Sequence, residues 1–474
     1  MINEFRAAFQ ELLDAAVAQS PNFRSAMHEV FRLSSQVPQE ERILALDALA
    51  PVMRQSEPVA GIAADLAVLA GALVEAGAPA GPAGVEVMRQ LGDYGKAAGA
   101  FLMAWEETGG GTPPPPMEVT EAEEQRVAAY LNELARLATT GWWVSHRYGL
   151  AAKTVLNDTE TRAALRSDPG TLQEMTYLEE LTLIARQLAA EIQEYQEVHE
   201  LLRMAAADSA LVLDRASGRG FRVRFDGVAD NFQLHTLLAD ALIGTEGRGV
   251  PGTRPHPSWV AASQDRDNDP QADIVTGAWD LVGGDGSWVG NEPTPADIPV
   301  IDGQRVLLLE APSLPHSWRA GRRHPHIVGW LRVEEEISPD EAAGWWARLH
   351  PAGTVRHPLS PAPAEPTPAP ANEPQAATPE PASFEEPNSP VEYSVPAPEG
   401  EPAAVEPEAP LAWEPPADNA QEVPAAAEEP SPAHDNRVDA ESTESANDVP
   451  PGAGLLPPLP PGVSDSAGWA PAWK

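Results

Sequence analysis

The chain has 474 residues, 31 basic and 71 acidic, for a formal charge of −40. Without cysteine it has no disulfide framework, thiol nucleophile or cysteine-based zinc site. The charge disfavours free nucleic acid and anionic lipid as partners. Val59 to Gly77, the most membrane-like stretch, is interrupted by Asp65 and Glu75 and is too short and polar to span a bilayer.

Composition divides the chain in two. Residues 357–474 hold 28 of the 51 prolines, and proline plus glycine make up 28% of that segment. Only 13 of its 118 residues are Leu, Ile, Val or Phe, so it gains too little from burial to offset chain entropy. It is expected to be a disordered, acidic, Pro/Ala-rich tail, with 21 acids against Arg437 and Lys474. The preceding residues suit a helical N-terminal region followed by a small α+β domain.

Taken from the start, Met-Ile-Asn-Glu-Phe-Arg lacks the basic-then-apolar order of a signal peptide. A cytoplasmic protein is therefore expected. Scarce lysine with abundant Ala, Pro, Gly and Arg suits a GC-rich bacterial genome.

Residues 1–107 read as a helical module. Ile2, Phe5, Phe9, Leu12, Leu13 and Val17 recur at helical spacing, as do Phe23, Met27, Val30 and Phe31. An Ala-rich segment, Gly61 to Glu75, is expected to be buried on most sides, and a longer helix covers Val85 to Trp105. Three glycines and four prolines within residues 108–116 then break the periodicity, which reads as a linker.

A second helical module is expected over 117–206. Thr120 and Glu123 have capping-box spacing, and Val127, Leu131, Leu134 and Leu137 follow as its apolar positions. One long helix is expected over 171–206, because Leu181, Ala185, Leu188, Ile192, Tyr195, His199 and Leu202 alternate at spacings of four and three. This narrow seam suits packing in a bundle, or a homodimer through a coiled coil.

Residues 208–350 carry the α+β domain. The runs 210–213 and 221–225 predict a hairpin, with Arg222 and Arg224 on its exposed face. A helix is expected over Asn231 to Leu242. Strands are expected over Ile274 to Val282, over Val306 to Leu309 as a central strand, and over Trp330 to Val333. Ser338-Pro339-Asp340-Glu341 is a helix start. Five tryptophans, Trp259, Trp279, Trp288, Trp318 and Trp330, lie between 259 and 330, a distribution expected of loops packed against a sheet.

No complete catalytic motif is present. Gly247 to Gly252 spells G-x-G-x-x-G, but Pro251 interrupts it and prolines follow it, so it does not open a helix onto a phosphate. His199-Glu200 is followed by Arg203 where a zinc-binding helix needs its second histidine. Asp265, Asp267 and Asp269 alternate like the first half of a calcium loop, but the second half is missing; they remain metal candidates. Trp318, Arg319, Arg322, Arg323, His324 and His326 form the one concentrated positive patch. It suits internal ion pairing, an acidic partner or a phosphate. No cofactor is expected.

The tail ends in two apolar clusters. Leu455, Leu456 and Leu459 lie among prolines as a polyproline II ligand, and Trp469 and Trp473 sit near the terminus. A flexible chain of this length spans roughly 60 Å. The expected function is a non-enzymatic interaction or scaffold protein whose tail presents a docking peptide to a protein partner. The alternative is an enzyme or small-ligand binder with a tryptophan-lined pocket and the Arg319–Arg323 cluster in 208–350.

Overall fold

A computed structural model of the chain describes residues 1–170, 175–267, 274–355 and 357–359. Asp269 and the tail residues Leu455, Leu456, Leu459, Trp469 and Trp473 lie outside the described residues, as does most of the segment assigned to the tail.

The N-terminal region is helical. Helices α1 (Ile2–Val17), α2 (Phe23–Ser34), α3 (Gln39–Ser56), α4 (Ala60–Glu75) and α5 (Gly81–Glu107) precede the Gly/Pro segment. Helices α6 (Glu121–Leu131), α7 (Ala135–Val155), α8 (Thr159–Ser167), α9 (Tyr177–Leu188) and α10 (Glu194–Ala205) follow it. The apolar faces of both sets close one continuous core, from Phe5 to Ala205. This corrects the division into two modules joined by a spacer. The Gly/Pro segment is a pinned connection: Trp142 Nε1 donates to Pro114 O and Trp105 Nε1 to Gly111 O, both at 2.9 Å.

Small residues set how closely these helices approach. The Ala-rich α4 is buried on nearly every side. A Cβ added at Gly141 of α7 would lie 2.7 Å from Tyr94 O and 2.9 Å from Ala98 N of α5. The capping box of α6 forms as its spacing requires. Val127 is buried, whereas Leu134 and Leu137 are exposed; the chain kinks between α6 and α7, so the periodicity does not run through.

The expected long helix over 171–206 is two helices, α9 and α10, broken over 189–193. No proline or glycine causes the break. Ile192 lies in the turn and is buried, as are Leu188 before it and Tyr195 after it. Burial on both sides of the turn outweighs the good helix preference of Ala189, Ala190, Glu191 and Gln193. Leu181, Ala185, Leu188, Ile192, Tyr195 and Leu202 all join the chain's own core, so the seam expected to pack in a bundle or pair in a homodimer packs within the bundle.

The α+β part is built on a mixed sheet. Strands β1 (Ser209–Asp214) and β2 (Gly220–Asp226) form the expected hairpin, and α11 (Asn231–Leu242) and α12 (Pro257–Gln264) follow. The strand expected over 274–282 is two short ones, β3 (Ile274–Thr276) and β4 (Asp280–Gly283), in different sheets. Gly277 lies between them and makes room for the His316 ring; a Cβ there would meet His316 Nε2 at 2.1 Å. Then come β5 (Val300–Ile301), β6 (Gln304–Glu310), β7 (Ser317–Arg319), β8 (Trp330–Glu336) and α13 (Pro339–Trp346).

The main sheet runs β4-β6-β1-β2-β8, with β5 added to β6, and β3 pairs β7 separately. β1 and β6 are parallel and the other pairs antiparallel. Side chains alternate across the sheet. Val212, Phe225, Leu307 and Leu309 pack with α11 on one face, and Leu211, Leu213, Val306 and Leu308 with α13 on the other. The continuous apolar run of β6 is thus buried on both faces.

Buried ion pairs join the sheet to the bundle. Arg162 of α8 donates to Asp226 of β2 at 2.5 Å, and Arg166 adds a contact at 3.2 Å. Burial acts to raise the Asp226 pKa, but these hydrogen bonds and charges outweigh it and hold the carboxyl below its usual value. Among the described residues no helix is long and apolar enough to cross a membrane.

Candidate functional site

Five separated segments converge beside the end of the sheet. Asp230 caps α11 through its side chain to the Gln233 amide, which fixes Phe232 in the first turn and His235 one turn on. β7 alternates exposed, half-buried, exposed, so Trp318 turns inward while Ser317 and Arg319 face out. Trp279 and Asp280 lead into β4, and the loop after it brings Trp288, Gly290, Asn291 and Glu292. His357 closes the group edge-on against Trp288, with ring centres 4.9 Å apart. These segments, His235 excepted, line a cavity of about 150 Å³.

The walls are aromatic. Trp318 lies 5.5 Å from Phe232, 4.9 Å from His235 and 5.8 Å from His316, the last ring nearly parallel to it. His235 also stacks on Trp279 at 5.5 Å. His235 is fully buried, and burial lowers its pKa to about 4. It is therefore neutral at pH 7. Its Nε2 accepts from the Ala278 and Trp279 amides at 3.0 and 3.3 Å, which leaves Nδ1–H to donate to Asn291 Oδ1 at 3.1 Å. A neutral imidazole with both nitrogens occupied is a strut that positions the cage, not an acid or base for a substrate.

The charged lining is acidic. Asp280 is 1% exposed. Its Oδ2 accepts from the Ser313 amide at 2.8 Å and the Ser313 hydroxyl at 2.6 Å. Its Oδ1 is buried and has no hydrogen-bond partner among the described residues. Its register partner on β6 is Glu310, which is itself bound by Arg215 at 2.8 Å. Glu292, on the same lining, is exposed. Buried carboxylates are normally paired, because leaving water uncompensated is costly. Asp280 therefore stands out.

The positive patch is dispersed. Trp318 belongs to the cage, whereas Arg319 is exposed on the outer side of β7. Arg322 Nη2 donates to Pro325 O at 2.9 Å, and Arg323 Nη2 to the Glu292 carbonyl at 3.2 Å. Arg323 and His324 turn instead to a groove containing Glu194, Glu197 and Glu200 of α10. Burial lowers the His324 pKa. His326 is exposed. The structure thus splits the six residues between a cavity, a groove and the surface.

Asp265 and Asp267 lie at and just beyond the end of α12 and are exposed. Among the described residues no group of three or more His, Cys, Asp or Glu side chains is arranged to hold a metal ion. Sequence reasoning flagged the tryptophans but missed Phe232, His235, Asp280, Asn291, Glu292, His316 and His357. The available signal was Trp279-Asp280, an acid opening a short apolar strand with no basic residue near it.

Fold and site define a mixed-sheet α+β domain, fixed to a helical bundle, with an aromatic cage of acidic lining. Compared with known proteins, the chain matches no family model, no curated protein and no solved structure.

Proposed function

We propose that this chain is a non-enzymatic interaction protein whose α+β domain holds a small chemical group of its partner in the tryptophan cage. The cage itself carries the reading. A concave, mainly aromatic site with a few polar groups is the ordinary form of a recognition pocket, and this one has room for a group about the size of benzene. Its imidazole His235 is held neutral and fully hydrogen-bonded, which suits positioning better than proton transfer. The bundle serves as a rigid support. The tail, on composition alone, tethers a second docking element at Leu455, Leu456, Leu459, Trp469 and Trp473 and raises its local concentration near whatever the cage holds.

Intrinsic tryptophan fluorescence of the full chain tests the cage. Small cationic, neutral and anionic probes are titrated into wild type and Trp318→Ala. Saturable quenching by one charge class in wild type, lost in Trp318→Ala, is the expected result. A flat response to all three classes would remove the cage from the proposal. For the tail, deletion of residues 450–474 should shorten the set of proteins retained in a pull-down; an unchanged set would remove the tether.

A further inference from the structure

We infer that the cage binds an organic cation that carries N–H donors, an alkylammonium or guanidinium group, with Asp280 Oδ1 as its acceptor. This rests on the reading of the cage as the binding site and adds the chemistry of what enters it.

Three features select that chemistry. Aromatic faces attract cations through the ring quadrupole, tryptophan most strongly, and the attraction grows when water is excluded. Trp279, Trp288, Trp318 and Phe232 supply those faces. The formally charged side chains of the lining are Asp280 and Glu292, so the site is complementary in sign to a cation. No lysine or arginine is among the described lining residues, and no salt bridge joins Asp280 to a described residue.

The third feature separates kinds of cation. Asp280 Oδ2 already takes both donors of Ser313, while Oδ1 is buried without one. An N–H group satisfies that oxygen with a charge-assisted hydrogen bond. A quaternary ammonium has no N–H and would leave it unmet. The other imidazole of the site, His316, donates Nδ1–H to Leu314 O at 3.1 Å, and its Nε2, packed against Gly277, is a second buried acceptor without a partner among the described residues, but it carries no charge to answer a cation as a carboxylate does. A planar guanidinium also stacks on an indole. The cavity accepts the charged head and part of an alkyl stem.

The test uses the full chain and fluorescence titration with methylguanidinium, n-propylammonium, tetramethylammonium, methylurea and acetate. Methylguanidinium and propylammonium should quench saturably, in roughly the millimolar range expected of such small ligands. Methylurea, the neutral analogue, and tetramethylammonium should bind at least roughly tenfold more weakly; acetate should not bind. Equal affinity for methylurea would overturn the charge argument, and equal affinity for tetramethylammonium the N–H argument; either result leaves the cage as a binding site. No saturation with any probe would overturn the cage as well.

Asp280→Asn keeps an oxygen for Ser313 and replaces the free acceptor by a donor, so methylguanidinium affinity should fall at least roughly tenfold. An unchanged affinity would overturn the assignment of Asp280. Glu292→Gln, at an exposed position that does not endanger folding, should weaken binding about twofold and reduce its salt dependence; no change in either would show that the rim charge plays no part. A capped arginine tripeptide compared with agmatine then identifies the source of the group. Tighter binding of the peptide points to a protein side chain, and tighter binding of agmatine to a free amine.

Discussion

Asp65 in the bundle and Asp280 on the sheet are both buried carboxylates, 2% and 1% exposed, yet their surroundings are opposite. Asp65 faces Arg147 at 2.9 Å, and that guanidinium lies 4.3 Å over the Trp143 ring. Burial pushes the Asp65 carboxyl above its usual range, and the attraction of Arg147 opposes that push. Asp280 has two hydrogen bonds from one serine and no cationic partner among the described residues. In the bundle a buried charge is answered within the chain and serves the fold. In the cage, on the proposed reading, it is left for a ligand. The burial of a charge therefore does not reveal its role; the completeness of its partners does.

Removing each carboxylate tests that contrast most strongly. Asp65→Ala strands Arg147 in the core and should lower unfolding free energy by about 3–5 kcal/mol, the usual cost of orphaning a buried charge. Asp65→Leu with Arg147→Met should recover most of that loss. Asp280→Asn removes a charge that no described lysine or arginine pairs with and should change stability by less than about 1 kcal/mol in either direction. Urea midpoints of the variants at pH 7 check the three values. Similar losses in Asp65→Ala and Asp280→Asn would break the comparison, because Asp280 would then be structural.

The cage also differs from the bundle in its response to acid. His235 titrates near 4 in the folded chain, well below the ordinary imidazole value of 6.5. Above 6.5 both folded and unfolded forms are neutral and the imidazole contributes no pH dependence. As pH falls below 6.5 the unfolded chain takes up the proton first, so stability drops until the folded imidazole protonates near 4. Between pH 7 and pH 5 this loss should be about 2 kcal/mol. His316 is the charged neighbour that adds to the shift once protonated, and Asn291 opposes it. The measurement is the difference in urea midpoint between pH 7 and pH 5 for wild type and for His235→Gln. Identical differences in the two proteins would show that His235 is not the titrating strut.

Much of the fold was legible because local signals agreed with packing. The Asn231–Leu242 helix, the 209–226 hairpin and the β6 run each combine pattern and burial in one short segment. The 171–206 helix was misread because its heptad seam continues through the turn: Leu188, Ile192 and Tyr195 keep the spacing while the chain reverses. The strand over 274–282 was misread because an apolar run does not reveal that Gly277 passes it from one sheet to another. The cage was legible only as a surplus of tryptophans. Residues 232, 279, 288, 318 and 357 are brought together by sheet order, which no local pattern encodes. The positive patch is contiguous only in sequence, because its residues alternate faces on β7 and then diverge along a loop.

The smallest expected effect concerns the other face of the sheet, where α13 packs without lining the cage. Its Ser338 hydroxyl accepts from the Glu341 amide at 3.2 Å, and Pro339 and Asp340 complete a favourable first turn. Ala342, Trp345 and Leu349 then cover Leu211, Leu213 and Leu308. Ser338→Ala removes one cap and should cost about 1 kcal/mol. The helix stays in place because its packing, not its cap, supplies most of its stability. Cation titrations of this variant should match wild type within error, since no residue of α13 lines the cage, although Trp288 of the cage packs against the same apolar cluster as α13. A cap variant that loses both stability and ligand affinity would mean that the two faces are coupled through the sheet, and that the cage is less rigid than its neutral, fully bonded His235 implies.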